Sequence, residues 1–232
     1  MFLVEGERGV SDALDAGVQP HVVVIRDGYE PGSPTVYIAL ETAGDNLRVL
    51  DGPLFDGLTE TVHPQGILAI LPIPSIQSLS DDATLVVLLD GIRDPGNMGT
   101  LLRSAAAAGA DAVLIGPASV DVYSPKVVRS AMGAHFRVPI MPLDTVDPGR
   151  LAAIPLRALA EANAVRDYDR VEWREPCLVI VGSEATGPGE VGRSLANLGV
   201  AIPMSGGIES LNAGAAGAVI LFEIARQRRI GR

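Results

Sequence analysis

The chain has 232 residues, of which 47% are apolar and 20% are charged, so it can bury an ordinary core and is not intrinsically disordered. Its net charge of −10 argues against a broadly basic surface for nucleic acid. One cysteine and three scattered histidines exclude an internal disulfide and a structural zinc site, so we expect no bound metal.

No apolar run reaches the roughly 18–20 residues that cross a bilayer, and the first residues lack the pattern of a secretory signal. We therefore expect a cytoplasmic protein that has no contact with a membrane. The charge is uneven, because residues 1–78 hold three Lys/Arg against eleven Asp/Glu, whereas residues 79–232 hold fifteen against seventeen. The second region is nearly neutral and leaves room for local basic patches.

Residues 1–78 are predicted to form a small α/β domain that ends in a linker. A helix is expected from Val4 to Ala16, because its apolar residues recur on one face. Prolines at positions 72 and 74 disfavour both helix and central strand, so residues 71–80 are interpreted as the linker. Strands are expected at His21–Ile25, Thr35–Leu40, Leu47–Leu50 and Gly66–Ile70.

Residues 79–232 are predicted to form a second α/β domain. From Ser80 onward, apolar strand patterns alternate with helical ones, which indicates a parallel sheet. Gly109 is expected to adopt the left-handed conformation that ends a helix. Strands are expected at Thr84–Leu89, Ala112–Ile115, Val138–Ile140, Leu156–Ala160, Leu178–Val181 and Val200–Ile202. Helices are expected near Met98–Ala108, Ser124–Met132, Gly189–Ala196 and Leu211–Arg228.

The first segment with polar chemistry follows the strand that ends at Asp90. The turn Asp94-Pro-Gly-Asn97 opens a helix that carries Arg103 among leucines and alanines. Ligands of open α/β sheets bind beyond the carboxyl ends of the strands. Asn97 can either hydrogen-bond a ligand or cap the helix. We expect Arg103 to be enclosed on most sides, so that its charge needs a partner or a ligand.

A second segment, Cys177 to Gly187, is a buried strand followed by a Gly-Ser-Glu turn. Gly182 would let the backbone approach a ligand closely at the end of this strand, and Glu184 would place a carboxylate in the same crevice. The chain has no Gly-x-Gly-x-x-Gly after a strand and no Gly-Lys-Ser/Thr element. The sequence therefore predicts neither a dinucleotide fingerprint nor a nucleotide triphosphatase.

The third segment puts Ser210 and Asn212 at the start of the last helix, which carries Gly214 and Gly217 among alanines. Glycine costs about 1 kcal/mol at a helix position, so these two indicate close packing against another backbone or a bound molecule. Packing between helices through small residues is the simpler of the two explanations.

Lys126 and Arg129 lie three residues apart in a helix that begins at Ser124-Pro125. At this spacing the two cations share one face of the helix. That face is either solvated or a clamp for phosphate, and the sequence leaves both interpretations open.

Taken in order, these segments resemble the SPOUT class of S-adenosylmethionine-dependent methyltransferases, in the SpoU/TrmH branch that methylates ribose 2′-hydroxyls in RNA. The resemblance covers about residues 84–228. The part before it, beginning Phe2-Leu-Val-Glu-Gly-Glu-Arg8, is similar to the small RNA-recognition domain that many such enzymes carry. The motifs are Asp94-Pro-Gly-Asn97…Arg103, Ser124-Pro-Lys…Arg129…Met-Gly133, Val181-Gly-Ser-Glu184 and Ile202-Pro-Met…Glu209-Ser-Leu-Asn212.

The resemblance implies an α/β fold in which a parallel sheet is followed by a deep trefoil knot at the carboxyl end, an exception to the near absence of knots, and it implies a homodimer. It also implies a set of site residues. The catalytic residues would be Asn97, Arg103, Glu184, Ser210 and Asn212, and those contacting RNA would be Lys126 and Arg129. S-adenosylmethionine would be bound by Leu159, Ala160, Gly182, Ile202, Met204 and Leu211.

The implied reaction is methyl transfer to a ribose 2′-hydroxyl of RNA, with ribosomal RNA favoured over transfer RNA because a separate amino-terminal domain is present. A guanidinium stays protonated near neutral pH, so we expect Arg103 to position the hydroxyl and stabilise its developing negative charge. Two alternatives stay open. One is a catalytically silent RNA-binding or ribosome-assembly protein on the same fold, and the other is a small-molecule methyltransferase.

Overall fold

The structure is a computed structural model that describes residues 1–61, 63–75, 78–183, 187–206 and 209–230. Contacts within the chain divide it into two compact units. The small unit consists of Met1–Ser75 and Asp121–Arg137, and the large unit consists of Ile76–Val120 and Val138–Arg232. The predicted domains had a single boundary at 78/79. The structure instead groups residues 121–137 with the small unit, because their helix packs on its first strand.

The described residues contain eleven strands and eight α-helices. The strands are β1 (Phe2–Glu5), β2 (Val22–Arg26), β3 (Leu47–Leu50), β4 (Ile67–Leu71), β5 (Leu85–Asp90), β6 (Ala112–Ile115), β7 (Ile140–Pro142), β8 (Leu156–Ala160), β9 (Arg166–Asp167), β10 (Cys177–Gly182) and β11 (Leu198–Ala201). The helices are α1 (Glu7–Asp15), α2 (Pro34–Thr42), α3 (Gly52–Asp56), α4 (Pro95–Ala108), α5 (Pro125–Ala131), α6 (Pro148–Ala152), α7 (Glu190–Leu195) and α8 (Ala213–Ile230).

The small unit is built on a mixed four-stranded sheet in the order β1-β4-β2-β3. The prediction that a helix begins at Val4 is wrong. Residues Phe2–Glu5 form β1, which pairs antiparallel with β4 and places Phe2 opposite Leu71. Helix α1 begins only after Gly6, whose φ of 87° suits glycine and sharply redirects the chain. This pairing joins distant residues, so a local pattern could not show it.

The predicted strand at Thr35–Leu40 is also wrong, because this segment is helix α2. Ser33 caps the helix by accepting a hydrogen bond from the backbone N–H of Val36, and Pro34 occupies its first turn. A serine followed by proline is a common helix start, so the signal was present in the sequence. The short helix α3, capped by Asp51, was not predicted.

The large unit contains a seven-stranded parallel sheet in the order β7-β6-β5-β10-β8-β11-β9. Every residue of β5 is buried, which is typical of a parallel strand covered on both faces. The predicted strands of this region fall within two residues of the observed ones, apart from the two-residue β9, which was not predicted. Gly109 ends α4 with φ 78°, as predicted.

The register of the sheet brings four strand ends together. Val181 in β10 lies beside Leu89 in β5, and Val200 in β11 lies beside Ala160 in β8. The carboxyl ends of β5, β10, β8 and β11 therefore meet at one edge, where ligands of α/β sheets bind. None of the helices in the described part of the chain is both long and apolar enough to cross a membrane.

Candidate active site

The carboxyl ends of β10, β8 and β11 and the first turns of α8 enclose a cavity of about 420 Å³. Small-molecule sites usually measure about 300–1,000 Å³. The lining is mainly apolar and includes Ala160, Val181, Val200, Ile202, Met204, Leu211, Ala213, Ala216 and Ile220. Its polar members are Glu161, Asn163, Ser183, Arg193, Glu209 and Ser210. An apolar wall with a few convergent polar groups is typical of a binding site.

Gly182, at the end of β10, is required by the loop that follows it. A Cβ atom here would overlap the backbone of Gly187 and Pro188, so the chain returns directly over the strand end. The N–H of Ser183 donates a hydrogen bond to the carbonyl of Gly187 at 3.1 Å and closes the loop. The close approach at Gly182 is therefore to this loop, whereas the sequence analysis expected an approach to a ligand. Glu184, the catalytic carboxylate expected here, lies outside the described residues.

Asp90 fixes the next turn of chain beside the cavity. Its side chain is buried at the end of β5, and Oδ2 accepts hydrogen bonds from the N–H groups of Gly189 at 2.8 Å and Gly192 at 3.1 Å. These donors belong to the start of α7, whose orphan N–H groups favour a carboxylate. Sequence reasoning gave Asp90 no role, although an aspartate at the end of an apolar strand was a usable signal.

Glu161 and Arg193 form an ion pair on the cavity wall. Glu161 directly follows β8, and its Oε1 accepts a hydrogen bond from Arg193 Nη1 at 3.0 Å. Its Oε2 lies against β11, since a Cβ on Gly199 would come within 3.2 Å of that oxygen. Sequence analysis missed both residues. The rule that ligands bind at strand ends would have pointed to Glu161, but its pairing with Arg193 depends on the fold.

Helices α4 and α8 pack tightly because two positions of α8 are glycine. A Cβ on Gly214 would lie 3.0 Å from Asn97 Oδ1, and one on Gly217 would overlap the side chain of Leu101. The simpler explanation of these glycines, close packing between helices, is therefore correct. The contact puts the Asn97 side chain beside the first turn of α8, whose Ala213 lines the cavity.

Asp94, and not Asn97, caps helix α4. The Asp94 carboxylate accepts a hydrogen bond from the N–H of Asn97 at 2.8 Å, which places Asn97 inside the first turn. The proposal that Asn97 serves as the helix cap is thus wrong, and its side chain is directed toward α8.

Arg103 is exposed, contrary to the expectation that its helix would enclose it. Thr100, Arg103 and Ala107 form the exposed stripe of α4, whereas Leu101 and Leu102 are buried. A helix on the outside of a sheet buries only one side, so a charge on the other side needs no protein partner. Arg103 does not line the cavity of its own chain.

The remaining predicted residues divide into those that line the cavity and those that do not. Ser210 lines the cavity, as do the predicted cofactor residues Ala160, Gly182, Ile202, Met204 and Leu211. Asn212 instead caps α8, since its Oδ1 accepts a hydrogen bond from the N–H of Ala215 at 2.7 Å. Leu159 is buried in the hydrophobic core with Leu178 and Ile180 and does not line the cavity.

The two cations predicted to contact RNA belong to the small unit. Arg129 pairs with Glu5 at 3.4 Å and with Glu60 at 3.1 Å, so its charge is already balanced by carboxylates. Lys126 is exposed on the same helix. The interpretation as a phosphate clamp therefore depends on Lys126. Among the described residues, no group of three or more His, Cys, Asp or Glu side chains could hold a metal ion.

The sequence model of the SpoU rRNA Methylase family matches residues 84–222, which is more than half of the chain. The chain therefore belongs to the SpoU rRNA methylase family. The resemblance found in the sequence motifs is thus confirmed.

Two curated relatives match over nearly the whole length. The chain is 32% identical over 227 residues to the 23S rRNA (guanosine(2553)-2'-O)-methyltransferase RlmP of Bacillus subtilis, which covers 96% of this chain and 88% of that protein. It is 31% identical over 248 residues to the 23S rRNA (uridine(2479)-2'-O)-methyltransferase of Streptomyces viridochromogenes, which covers 100% of this chain and 84% of that protein.

Solved structures share the fold. The SpoU methyltransferase AviRb from Streptomyces viridochromogenes, in complex with AdoMet, matches with a TM-score of 0.86 and 30% identity over 100% of this chain and 91% of that one. An AdoMet-bound rRNA methyltransferase from Sinorhizobium meliloti matches with a TM-score of 0.80 and 28% identity, covering 97% and 87%. The predicted α/β fold with a parallel sheet is confirmed, and the trefoil knot stays a prediction.

Proposed function

We propose that this protein transfers a methyl group from S-adenosylmethionine to a ribose 2′-hydroxyl of ribosomal RNA. Membership of the SpoU family and the names of both curated relatives support this activity. The observation that carries it is the cavity at the ends of β10, β8 and β11. Five of the six residues predicted to hold the cofactor line that one cavity.

The chemistry of the cavity fits the cofactor. Its apolar wall, with Ile202, Leu211 and Val181, suits the faces of an adenine ring and the hydrocarbon around a sulfonium. Polar side chains at Glu161 and Ser210 suit the sugar and the amino-acid end. When bound, S-adenosylmethionine supplies an electrophilic methyl group on sulfur.

The chain must then orient the ribose hydroxyl and stabilise the charge that develops as its proton leaves. We assign these tasks to the predicted catalytic set, in which Ser210 lines the cavity and Asn97 lies beside the first turn of α8. Arg103 keeps its proposed role of holding the hydroxyl through its planar, charged fork of donors. Glu184 and Asn212 remain in the proposed set on the resemblance alone.

Because Arg103 is exposed and does not line the cavity of its own chain, we propose that a homodimer completes the site. The candidate interface is the outer face of α4 and α8. Phe222, near the middle of the 18-residue helix α8, is 51% exposed, and aromatic residues are enriched at protein interfaces. Sedimentation of the wild type and of Phe222→Glu tests this part, since the variant is expected to be monomeric.

The activity is tested by incubating the purified protein with isotopically labelled S-adenosylmethionine and RNA from cells that lack its gene. The expected result is labelled 2′-O-methyl nucleoside at one position of ribosomal RNA, located by mass spectrometry. Label in transfer RNA alone would reassign the substrate. Cofactor binding without transfer to any RNA would favour the catalytically silent alternative, and transfer to small molecules would favour the other one. The cytoplasmic location stays a prediction.

A further inference from the structure

We propose that Glu161 binds the two ribose hydroxyls of the adenosyl cofactor and that Arg193 is a positioning residue that holds the Glu161 carboxylate in place. The inference rests on the proposed function, because it concerns how the same cavity recognises its cofactor. It assigns a specificity role to an ion pair that the motifs of the sequence did not single out.

The backbone and the side chain of Glu161 are both fixed. Its N–H donates a hydrogen bond to the carbonyl of Val200 at 3.0 Å, which ties the residue to β11. Arg193 holds Oε1 at 3.0 Å, and Oε2 rests in the space that Gly199 leaves by having no side chain. The side chain is 34% exposed and lines the cavity, so its remaining acceptor positions can reach a ligand. Such preorganisation lowers the entropy cost of recognising donors.

The charge of the pair favours a neutral group with several donors. Arg193 balances the negative charge of Glu161, so a cationic ligand group would meet a guanidinium next to the carboxylate. The ammonium of the cofactor is therefore disfavoured at this position. Hydroxyls carry no charge and still gain the stronger hydrogen bonds that an ionised acceptor forms.

The geometry of the donors separates the ribose from the adenine. Two neighbouring hydroxyls can donate to the two oxygens of one carboxylate, as ribose hydroxyls do to the acidic residue of dinucleotide-binding folds. The outer edge of adenine instead alternates an N–H donor with a ring-nitrogen acceptor, and that acceptor would repel a carboxylate. The apolar part of the lining, such as Ile202 and Leu211, suits the adenine faces better.

The test measures calorimetric affinities for S-adenosylhomocysteine and for its 2′-deoxy and 3′-deoxy counterparts. The wild type is expected to prefer the ribose form about tenfold over each deoxy form, the effect of one hydrogen bond to a charged group. Glu161→Ala should lose this preference, because it removes the acceptor for both hydroxyls: relative to the wild type, the ribose form should bind about a hundredfold more weakly and each deoxy form, which keeps one hydroxyl, about tenfold more weakly. Glu161→Gln, which keeps one acceptor, should show a smaller preference, and it serves if the alanine variant does not fold.

Two further variants separate recognition from general damage. Glu209→Ala removes the other acidic side chain of the lining and should keep the full preference for the ribose form. Arg193→Ala should reduce the preference, because it should weaken the ribose form more than either deoxy form, whereas general damage to the cavity would weaken all three compounds alike.

The outcomes distinguish a failure of the proposed function from a failure of the role proposed for Glu161. If the wild type binds none of the three compounds, the proposed function fails together with the inference. If it binds all three equally, or if Glu161→Ala keeps the tenfold preference, the cofactor stands and the role of Glu161 is wrong. If Glu209→Ala loses the preference instead, the binding of the ribose hydroxyls would be assigned to Glu209.

Discussion

The carboxylate of Asp90 lies 3.1 Å from the backbone N–H of Gly192, and a Cβ on Gly192 would come within 2.7 Å of the same oxygen. A side chain at position 192 and the buried carboxylate therefore cannot occupy this space together. The strand end at β5 and the helix start at α7 are joined through this contact and through the matching one to Gly189.

Replacing Asp90 by alanine should lower the free energy of unfolding by about 3 kcal/mol, because two N–H donors lose a charged acceptor. Cofactor affinity should fall as well, since Pro188 and Arg193 line the cavity from this segment. Urea unfolding and calorimetry check both effects. The exposed Asp82→Asn is the matched control and should change neither. Unaltered stability of Asp90→Ala would mean that the start of α7 is held by other contacts.

At Gly217, helix propensity and packing have opposite effects on the stability of an alanine variant. Alanine is favoured over glycine in a helix by about 1 kcal/mol, so propensity alone predicts that Gly217→Ala stabilises the protein. A Cβ there would overlap the side chain of Leu101, and overpacking of a tight contact typically costs about 1–3 kcal/mol. We therefore expect net destabilisation in denaturant unfolding.

The control for this experiment is Ala218→Gly, one position further along α8 and only partly buried. It should destabilise by about 1 kcal/mol through propensity alone. A Gly217→Ala variant that is more stable than the wild type would show that α4 and α8 can separate slightly at little cost.

Lys126 and Arg129, predicted as a pair, should behave differently. Lys126→Ala is expected to weaken RNA binding and to reduce the slope of log affinity against log salt by about 1, without a change in stability. Arg129→Ala is expected to destabilise the protein by about 1–3 kcal/mol, because Glu5, only 5% exposed, would lose its partner. Salt titrations of RNA affinity and urea unfolding separate the two effects. Equal salt slopes for wild type and Lys126→Ala would remove Lys126 from the RNA contact.

The sequence predicted those parts of the fold whose signals are local. Gly109 ends α4 in the left-handed conformation, as predicted, whereas the helix begins at Pro95, three residues before the predicted Met98, because Asp94 caps it. The apolar run that ends at Asp90 was assigned correctly to a buried parallel strand. Strand β1 was not predicted, because its formation depends on pairing with Leu71 and its neighbours, which lie far along the chain. A strand's environment is set by distant partners more than by its own residues.

The site was predictable to the same extent. Gly182 could be found because it ends a strand, whereas Ala160 followed from the resemblance to the family, and both line the cavity. The exposure of Arg103 could not be found, since it depends on which side of α4 packs against the sheet and α8. The roles of Asn212 as a cap and of Arg129 as an ion-pair partner likewise depend on atoms that the fold brings near.

His135 predicts a pH dependence of stability. The imidazole is buried, Nε2 interacts with the carbonyl of Val122 at 2.7 Å, and burial lowers the pKa of His135 below its usual value of 6.5. The folded state therefore favours the neutral ring. The stability that this provides is present above pH 6.5, the unfolded value, and is lost as the pH falls below it.

The variant His135→Gln should accordingly show a weaker fall in melting temperature between pH 7 and pH 5 than the wild type. His63→Gln, at an exposed histidine, should follow the wild-type curve. Parallel curves for all three proteins would mean that His135 is protonated equally in the folded and unfolded states.

Arg103 gives the sharpest test of the proposed reaction. Arg103→Lys keeps the positive charge and loses the planar fork of donors that would hold the ribose hydroxyl. We expect the methylation rate to fall more than about tenfold, since removing one donor that stabilises developing charge commonly costs at least that much. The affinity for S-adenosylhomocysteine should be unchanged, because Arg103 does not line the cavity. Arg170→Lys, at another exposed arginine, should keep the full rate. If Arg103→Lys methylates RNA as fast as the parent does, the guanidinium has no special part in the transfer, and the proton and charge must be handled by other members of the proposed set.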